Sequence, residues 1–305
     1  MTMQQLTSGA WDERITIFRA DEDEARERVD AFAIVTQNYV VFIDTLSTPA
    51  LARAMIAAMR EPLAMRQPLV INTHADYDHC WGNAAFAADG MLPAPIYGHA
   101  LAATRMGSEE RQQLLREKQQ SDPIFAEVRL VAPTRLITAQ TTLNGGDLSL
   151  VLLPTPGHRP DHLAVWLPSI GHLIAGDAAE SPFPYVTEAR DLPLLIDSLK
   201  QLDALQAAVV LPCHGSTTDG ALMARNLRYF ATIHEHCQHA IETRTLPADW
   251  TDREHLAEVI GMPYDEALAI AEVARTDTPA MYEEFHELAI KATVAVLHDE
   301  HKASF

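Results

Sequence analysis

The sequence predicts an α/β body followed by a helical extension, and three observations carry that prediction. Strand and helix signals alternate from the N-terminus to about residue 212. After Gly220 the strand signals stop and apolar residues recur at helical spacing only. Between these limits, four apolar strands each end on a histidine or a carboxylate, often beside a glycine or proline that turns the chain.

Taken in order, residues 13–19, 31–36 and 39–44 are rich in β-branched and aromatic side chains and read as strands. Gln37-Asn38 reads as the hairpin turn between the last two. Thr48-Pro49 opens a helix to about residue 59, with a hydroxyl cap and a proline in the first turn. Residues 68–73 form a compact apolar strand running into His74. Further strands are expected at 94–98, 135–138, 148–153, 162–167, 171–176 and 208–212, and helices at 81–88 and 191–205. The charged stretch 108–120 is helical in composition and reads as an insertion near the mouth of a site. Its few apolar residues lead to an expectation of mobility. Beyond Gly220, Met223, Leu227, Phe230, Ile233, Cys237 and Ile241 mark one helix. Two more are expected at 263–275 and 278–299, the second opened by Asp277-Thr278-Pro279. The division is therefore a body over 1–220 and a helical extension over 221–305 packed on it.

A chain of 305 residues, 48% hydrophobic, is long enough to bury a large core. Its net charge of −19 carries no basic footprint for phosphates, which speaks against a nucleic-acid partner. The acidic cluster at 21–24 reads as a solvated turn. No apolar run reaches the roughly 18 residues of a membrane span, so no membrane partner is expected. The N-terminus lacks a basic segment followed by an apolar stretch, which points to a cytoplasmic location. Cys80, Cys213 and Cys237 show no short repeated spacing, so small buried hydrophobes are expected rather than disulfides or ligands.

Metal sites need several neutral imidazoles and ionised carboxylates brought to one point. His74, Asp76, Asp78 and His79 follow the strand at 68–73. His158, in Thr-Pro-Gly-His, follows 148–153; Asp177, in Gly-Asp, follows 171–176; His214, in Pro-Cys-His-Gly, follows 208–212. One such strand end is ordinary, whereas four in one body converge on a common purpose.

The order H-x-D-x-D-H, T-P-G-H, G-D and a His-Gly strand end resembles the metallo-β-lactamase superfamily over roughly residues 10–220. The resemblance implies a four-layer αββα sandwich, two sheets flanked by helices, with a metal cleft at one sheet edge. It further implies that His74, Asp76 and His158 hold a first divalent ion. Asp78, His79 and His214 would hold a second, with Asp177 bridging the two. Zinc is the expected metal, with iron or manganese as alternatives. Asp76 departs from the family pattern, which has histidine there. Two divalent ions against three carboxylates and a bridging hydroxide leave the centre neutral, one unit below the usual motif. That more anionic donor set favours harder ions, unless Asp76 only accepts hydrogen bonds and leaves its position weak.

Asp161 and His162 read either as a pair orienting a ligand imidazole or, for His162, as the start of a strand, with substrate contact as a further expectation. Tyr185 is the better candidate for facing substrate, and Tyr77 is expected to be packed. His234, His236 and His239 lie on different sides of one helix and read as solvated or partly packed; His99 and His172 read as strand or turn residues.

The implied activity is hydrolysis of a small-molecule ester-like bond (thioester, lactone or phosphodiester) by a metal-bridging hydroxide, with Asp78 orienting the water and moving its proton. Asp78-His79-x-x-Gly82-Asn83 together with C-terminal helices resembles glyoxalase II-type thioesterases. Two alternatives differ in class: a di-iron oxidoreductase related to flavodiiron proteins, and a non-catalytic binding protein retaining the fold.

Overall fold

The computed structural model describes residues 2–21, 28–186 and 188–303. The acidic cluster keeps only Asp21, the last residue of a strand, inside that range; positions 22–24 lie outside the described residues.

Two sheets face each other. The first has seven strands in chain order: β1 (Met3–Leu6), β2 (Ile15–Asp21), β3 (Arg28–Val35), β4 (Tyr39–Ile43), β5 (Gln67–Ile71), β6 (Ile96–His99) and β7 (Arg135–Ile137). Pairing is antiparallel through β4 and parallel from β4 to β7. The second has five: β8 (Thr141–Asn144), β9 (Ser149–Pro154), β10 (Leu163–Leu167), β11 (His172–Gly176) and β12 (Val209–Pro212). They lie in the order β12-β11-β10-β9-β8, with only the β11–β12 pair parallel.

The period-2 alternation of a strand divides the second sheet's side chains between two cores. Leu150, Leu152, Leu163, Val165, Ile174 and Leu211 point at the first sheet and join its core. Leu153, Ala164, Leu173, Ala175 and Val210 point the other way, into a core shared with helices. In the first sheet β3 and β4 are buried on both faces, as a sheet covered twice must be. Its outer cover includes helix α1 (Pro49–Ala58), capped by Thr48 Oγ1 accepting from the Leu51 N–H at 3.3 Å and opened by Pro49. A 3-10 turn over Trp81–Phe86 stands where a longer helix is expected, and Phe86 meets Phe42 at 5.0 Å between ring centroids. Between them the short α2 (Arg60–Leu63) leads into β5.

On the far side lie α6 (Leu192–Asp203), α7 (Leu222–Glu242), α8 (Leu256–Ile260), α9 (Tyr264–Ala271) and α10 (Met281–Ala303). The remaining helices are α3 (Tyr77–Cys80), α4 (Ala100–Met106) and α5 (Glu109–Ser121). Helices, sheet, sheet and helices thus form four layers, with the C-terminal helical region continuing the last one. One apolar cluster joins α6 through α10 to the outer face of the second sheet, so the extension shares a core with the body. Its last helix begins at Met281 rather than 278, because residues 275–277 form a separate 3-10 turn. The insertion is anchored, contrary to the expected mobility: Arg111 and Leu115 of α5 are buried, and Leu115 packs with Trp81, Met106 and Phe125. Among the described residues, no helix is long and apolar enough to cross a membrane.

Candidate metal centre

β5 ends at Ile71, and the chain passes through Asn72 and Thr73 into His74; α3 then carries Asp78 and His79 inward. His158 follows β9, and Asp177 and His214 directly or closely follow β11 and β12. All seven expected ligand residues are buried and gathered at this one edge. Two glycines make the turns possible. Gly176 has φ +58°, and a Cβ there would lie 2.5 Å from His162 Nε2; Gly157 has φ +142° against the Leu195 backbone.

The four histidines are oriented alike. Their Nδ1 atoms face the protein: His79 toward Asp44 Oδ2 at 2.9 Å, His158 toward the Tyr185 carbonyl at 3.3 Å, His214 toward the Arg28 carbonyl at 3.0 Å and His74 toward Thr73 Oγ1 at 3.0 Å. Their Nε2 atoms converge on Asp177 Oδ2, at 3.5 Å from His74, 3.1 Å from His79, 3.5 Å from His158 and 3.5 Å from His214. An Nδ1 fixed by an acceptor presents Nε2 as the lone-pair side. The Nε2 atoms of His74, His79 and His158 are buried without a hydrogen-bond partner, as is Asp177 Oδ1. Orphaned buried acceptors cost free energy unless a cation meets them, so this donor set fits divalent metal ions.

The two ends of the centre differ. Asp78 Oδ2 lies 3.4 Å from both His79 Nε2 and His214 Nε2, close to the about 3.4 Å that ligand atoms keep around a tetrahedral zinc. Asp76 Oδ2 lies 3.8 Å from His74 Nε2 and 4.0 Å from His158 Nε2. Its carboxylate is also held by three guanidiniums. Arg105 and Arg111 donate to Oδ1 at 2.7 and 2.6 Å, and Arg159 Nε donates to Oδ2 at 2.6 Å. Burial opposes ionisation of Asp76, but Arg159, Arg111 and Arg105 outweigh it and hold the carboxyl at about 2. The expectation of a more anionic first position is thereby corrected: the added negative charge is met by more positive charge than it brings.

Burial keeps His74 below its ordinary range and His158 down at about 4, so both stay neutral and ligand-competent. Burial acts the same way on His79 and His214, but Asp177 and Asp78 beside them prevail and push both well up. A cation bound there would replace those protons.

Asp44 was not foreseen. It follows β4 with φ +61° and accepts from the Thr73 N–H and Oγ1, both at 2.7 Å, as well as facing His79. Its signal was the one that marks the candidate ligands, a polar side chain at the end of an apolar strand. Glu180 was also missed: its carboxylate lies near His158 and Asp177 and accepts from Tyr282 Oη at 2.7 Å, while Asn226 pairs with its backbone. Arg111 gave no signal, because a helical insertion of mixed charge looks solvated, and Arg105 lies just before that insertion with no motif around it.

Asp161 accepts from the Ala75 N–H at 2.8 Å and from Arg105, so it belongs to the arginine cluster rather than to a pair with His162. His162 is fully buried just before β10; Nδ1 faces Thr155 Oγ1 at 2.7 Å and Nε2 accepts the Asp177 N–H at 3.0 Å. No polar atom remains to offer substrate, which corrects that expectation and leaves His162 supporting Asp177. Tyr185 is half-buried with its ring 6.3 Å from His158 and, tilted by 32°, 4.3 Å from Phe285. Tyr77 packs against Trp81 and Phe125, as expected. His99 caps α4 by accepting the Leu101 N–H, and His172 accepts the Asp12 N–H. His236 donates from Nδ1 to the Ile260 carbonyl. All three cysteines are free and buried. Gly82 abuts the Thr45 carbonyl, and Asn83 bridges Thr45, Asn72 and the Val131 carbonyl, so both serve structure.

A cavity of about 770 Å³ opens beside His214. Arg28, Gly215, Arg225, Thr278 and Tyr282 are among its lining residues, so the C-terminal helical region contributes to it. The insertion instead closes the Asp76 end.

The family model described as the metallo-beta-lactamase superfamily matches residues 26–214. The chain is 27% identical over 210 residues to avaE of Aspergillus versicolor, which bears the name of a candidate transcription factor; the match covers 62% of each. It is 25% identical over 228 residues to a hydroxyacylglutathione hydrolase of Rhodospirillum rubrum, covering 72% of this chain and 76% of that one. In structure it is similar to a metallo-beta-lactamase family protein of Thermus thermophilus, with a TM-score of 0.63, 19% identity and 94% of both chains covered. The chain belongs to the metallo-β-lactamase superfamily.

Proposed function

We propose that the protein is a metal-dependent hydrolase of a small-molecule ester-like bond, a thioester, lactone or phosphodiester, acting in the cytoplasm. The observation that carries this is the convergence of four oriented imidazoles on Asp177 Oδ2, with orphaned buried acceptors facing the same point. His74, Asp76 and His158 would hold one divalent ion, Asp78, His79 and His214 another, and Asp177 both; zinc suits so imidazole-rich a set. Such ions supply an acidified water and a Lewis acid for the substrate oxygen.

The chain's own groups have defined tasks in this reading. Asp78 is buried yet held ionised, because His79 and His214 beside it outweigh burial. It takes the proton as the water oxygen bonds to the acyl or phosphoryl centre. The bond to the leaving group then breaks, and that proton passes to the leaving group. Asp177, fixed through its N–H by His162, keeps the two positions together. Substrate sits in the cavity beside His214, and Tyr185 flanks His158. The name of the bacterial relative supports the thioester member of the set, since an acylglutathione is a thioester.

Assay of the metal-depleted and zinc- or manganese-reloaded chain on thioester, lactone and phosphodiester panels tests the proposal. Turnover that appears on reloading is expected; its absence on all three classes would overturn the reading.

A further inference from the structure

Three guanidiniums on one carboxylate beside a metal centre need an explanation. Arg105 and Arg111 come from α4 and α5, and Arg159 from the loop after His158, so two separate segments deliver them. Asp161 shares Arg105 with Asp76, so the two carboxylates are met by three guanidiniums. Among the described residues no guanidinium is paired with Asp78, whose charged neighbours are His79 and His214.

Lone pairs point the same way. A carboxylate has about four acceptor sites, and charge-assisted bonds from three guanidiniums occupy three of Asp76's. The remaining one, on Oδ2, stands 3.8 and 4.0 Å from the imidazole nitrogens it would have to join around an ion, against 3.4 Å for both partners of Asp78. A donor whose electron density is drawn off by guanidiniums is also a weaker ligand, and three guanidiniums close to that donor repel a divalent ion directly. His74 and His158 still offer Nε2 there, so the position is weakened rather than removed.

We propose that Arg105, Arg111 and Arg159 take over much of the electrostatic role of a cation at the Asp76 end. The protein then holds one divalent ion tightly, at Asp78, His79, His214 and Asp177, and a second only weakly, at His74 and His158. This rests on the reading of the cluster as a metal centre, but concerns the inequality of its two positions.

The test measures metal binding without substrate, so its failure is separate from a failure to find hydrolysis. Metal-depleted full-length protein is titrated with zinc against a chelator of known affinity, and bound zinc is counted by atomic emission. The wild type is expected to retain one equivalent, with a second at least about 100-fold weaker. Two equivalents of equal affinity would overturn the proposal, and this arm needs no variant to fold. In variants, Asp76→Ala should keep the tight ion and His214→Ala should lose it. Arg159→Gln, which loosens Asp76 without removing it, should tighten the second ion by about 10-fold. Loss of the tight ion in Asp76→Ala, or an unchanged second ion in Arg159→Gln, would contradict the assignment.

Discussion

The Asp78 and Asp76 ends of the centre are built from the same kinds of part, two imidazoles and a carboxylate around a shared Asp177, yet their carboxylates face opposite company. Asp78 is surrounded by groups that can turn to a metal ion, and Asp76 by three arginines that cannot leave it without exposing buried charge. The difference teaches that ligand identity alone does not define a metal position: the partners of the ligand decide how much of its charge is available. Histidine-to-aspartate exchange at position 76 would make the centre more anionic in isolation. Within this fold it brings a cationic cluster with it.

The largest effect that could break this contrast is expected from His214→Ala, which removes a donor from the tight end. Its kcat/KM should fall by at least about 10³-fold, because several kcal/mol of charge stabilisation are lost. A fall of less than about 10-fold would shift the working end to Asp76. Next, Asp44→Asn should weaken zinc binding by about 10- to 100-fold, since His79 Nδ1 loses its carboxylate partner. Equal affinity for mutant and wild type in chelator competition would remove Asp44 from the account. Arg111→Met sharpens the other end: it deletes one of Asp76's three partners and unanchors α5, at a cost of about 2 kcal/mol in a urea melt. Destabilisation below about 0.5 kcal/mol would mean the arginine cluster contributes little to holding the insertion. The smallest effect belongs to Tyr282→Phe, which removes one hydrogen bond to Glu180 and should cost about 1 kcal/mol with the zinc stoichiometry unchanged.

Much of this candidate site was legible in the sequence because the residues that could hold a metal lie at strand ends, where period-2 burial stops and polar side chains must leave the core. His74, His158, Asp177 and His214 were marked in that way, and Asp44 would have been by the same rule. The arginine cluster was not legible. Arg105 lies near the end of a short alanine-rich helix and Arg111 in a polar one whose spacing signals only a solvated face, and their partner Asp76 lies about 30 residues away in the chain. The edge strands β1 and β8 were missed for a similar reason: four residues with half-exposed side chains carry too little pattern. His162 misled because a histidine near a ligand suggests substrate, whereas burial of both ring nitrogens commits it to Thr155 and Asp177.

The central claim is tested most directly by following turnover of a thioester, lactone or phosphodiester as zinc is added back to metal-depleted protein. The account predicts that activity appears with zinc and is largely restored by the first equivalent. Turnover that is independent of metal, or absent at every zinc ratio on all three substrate classes, would contradict it.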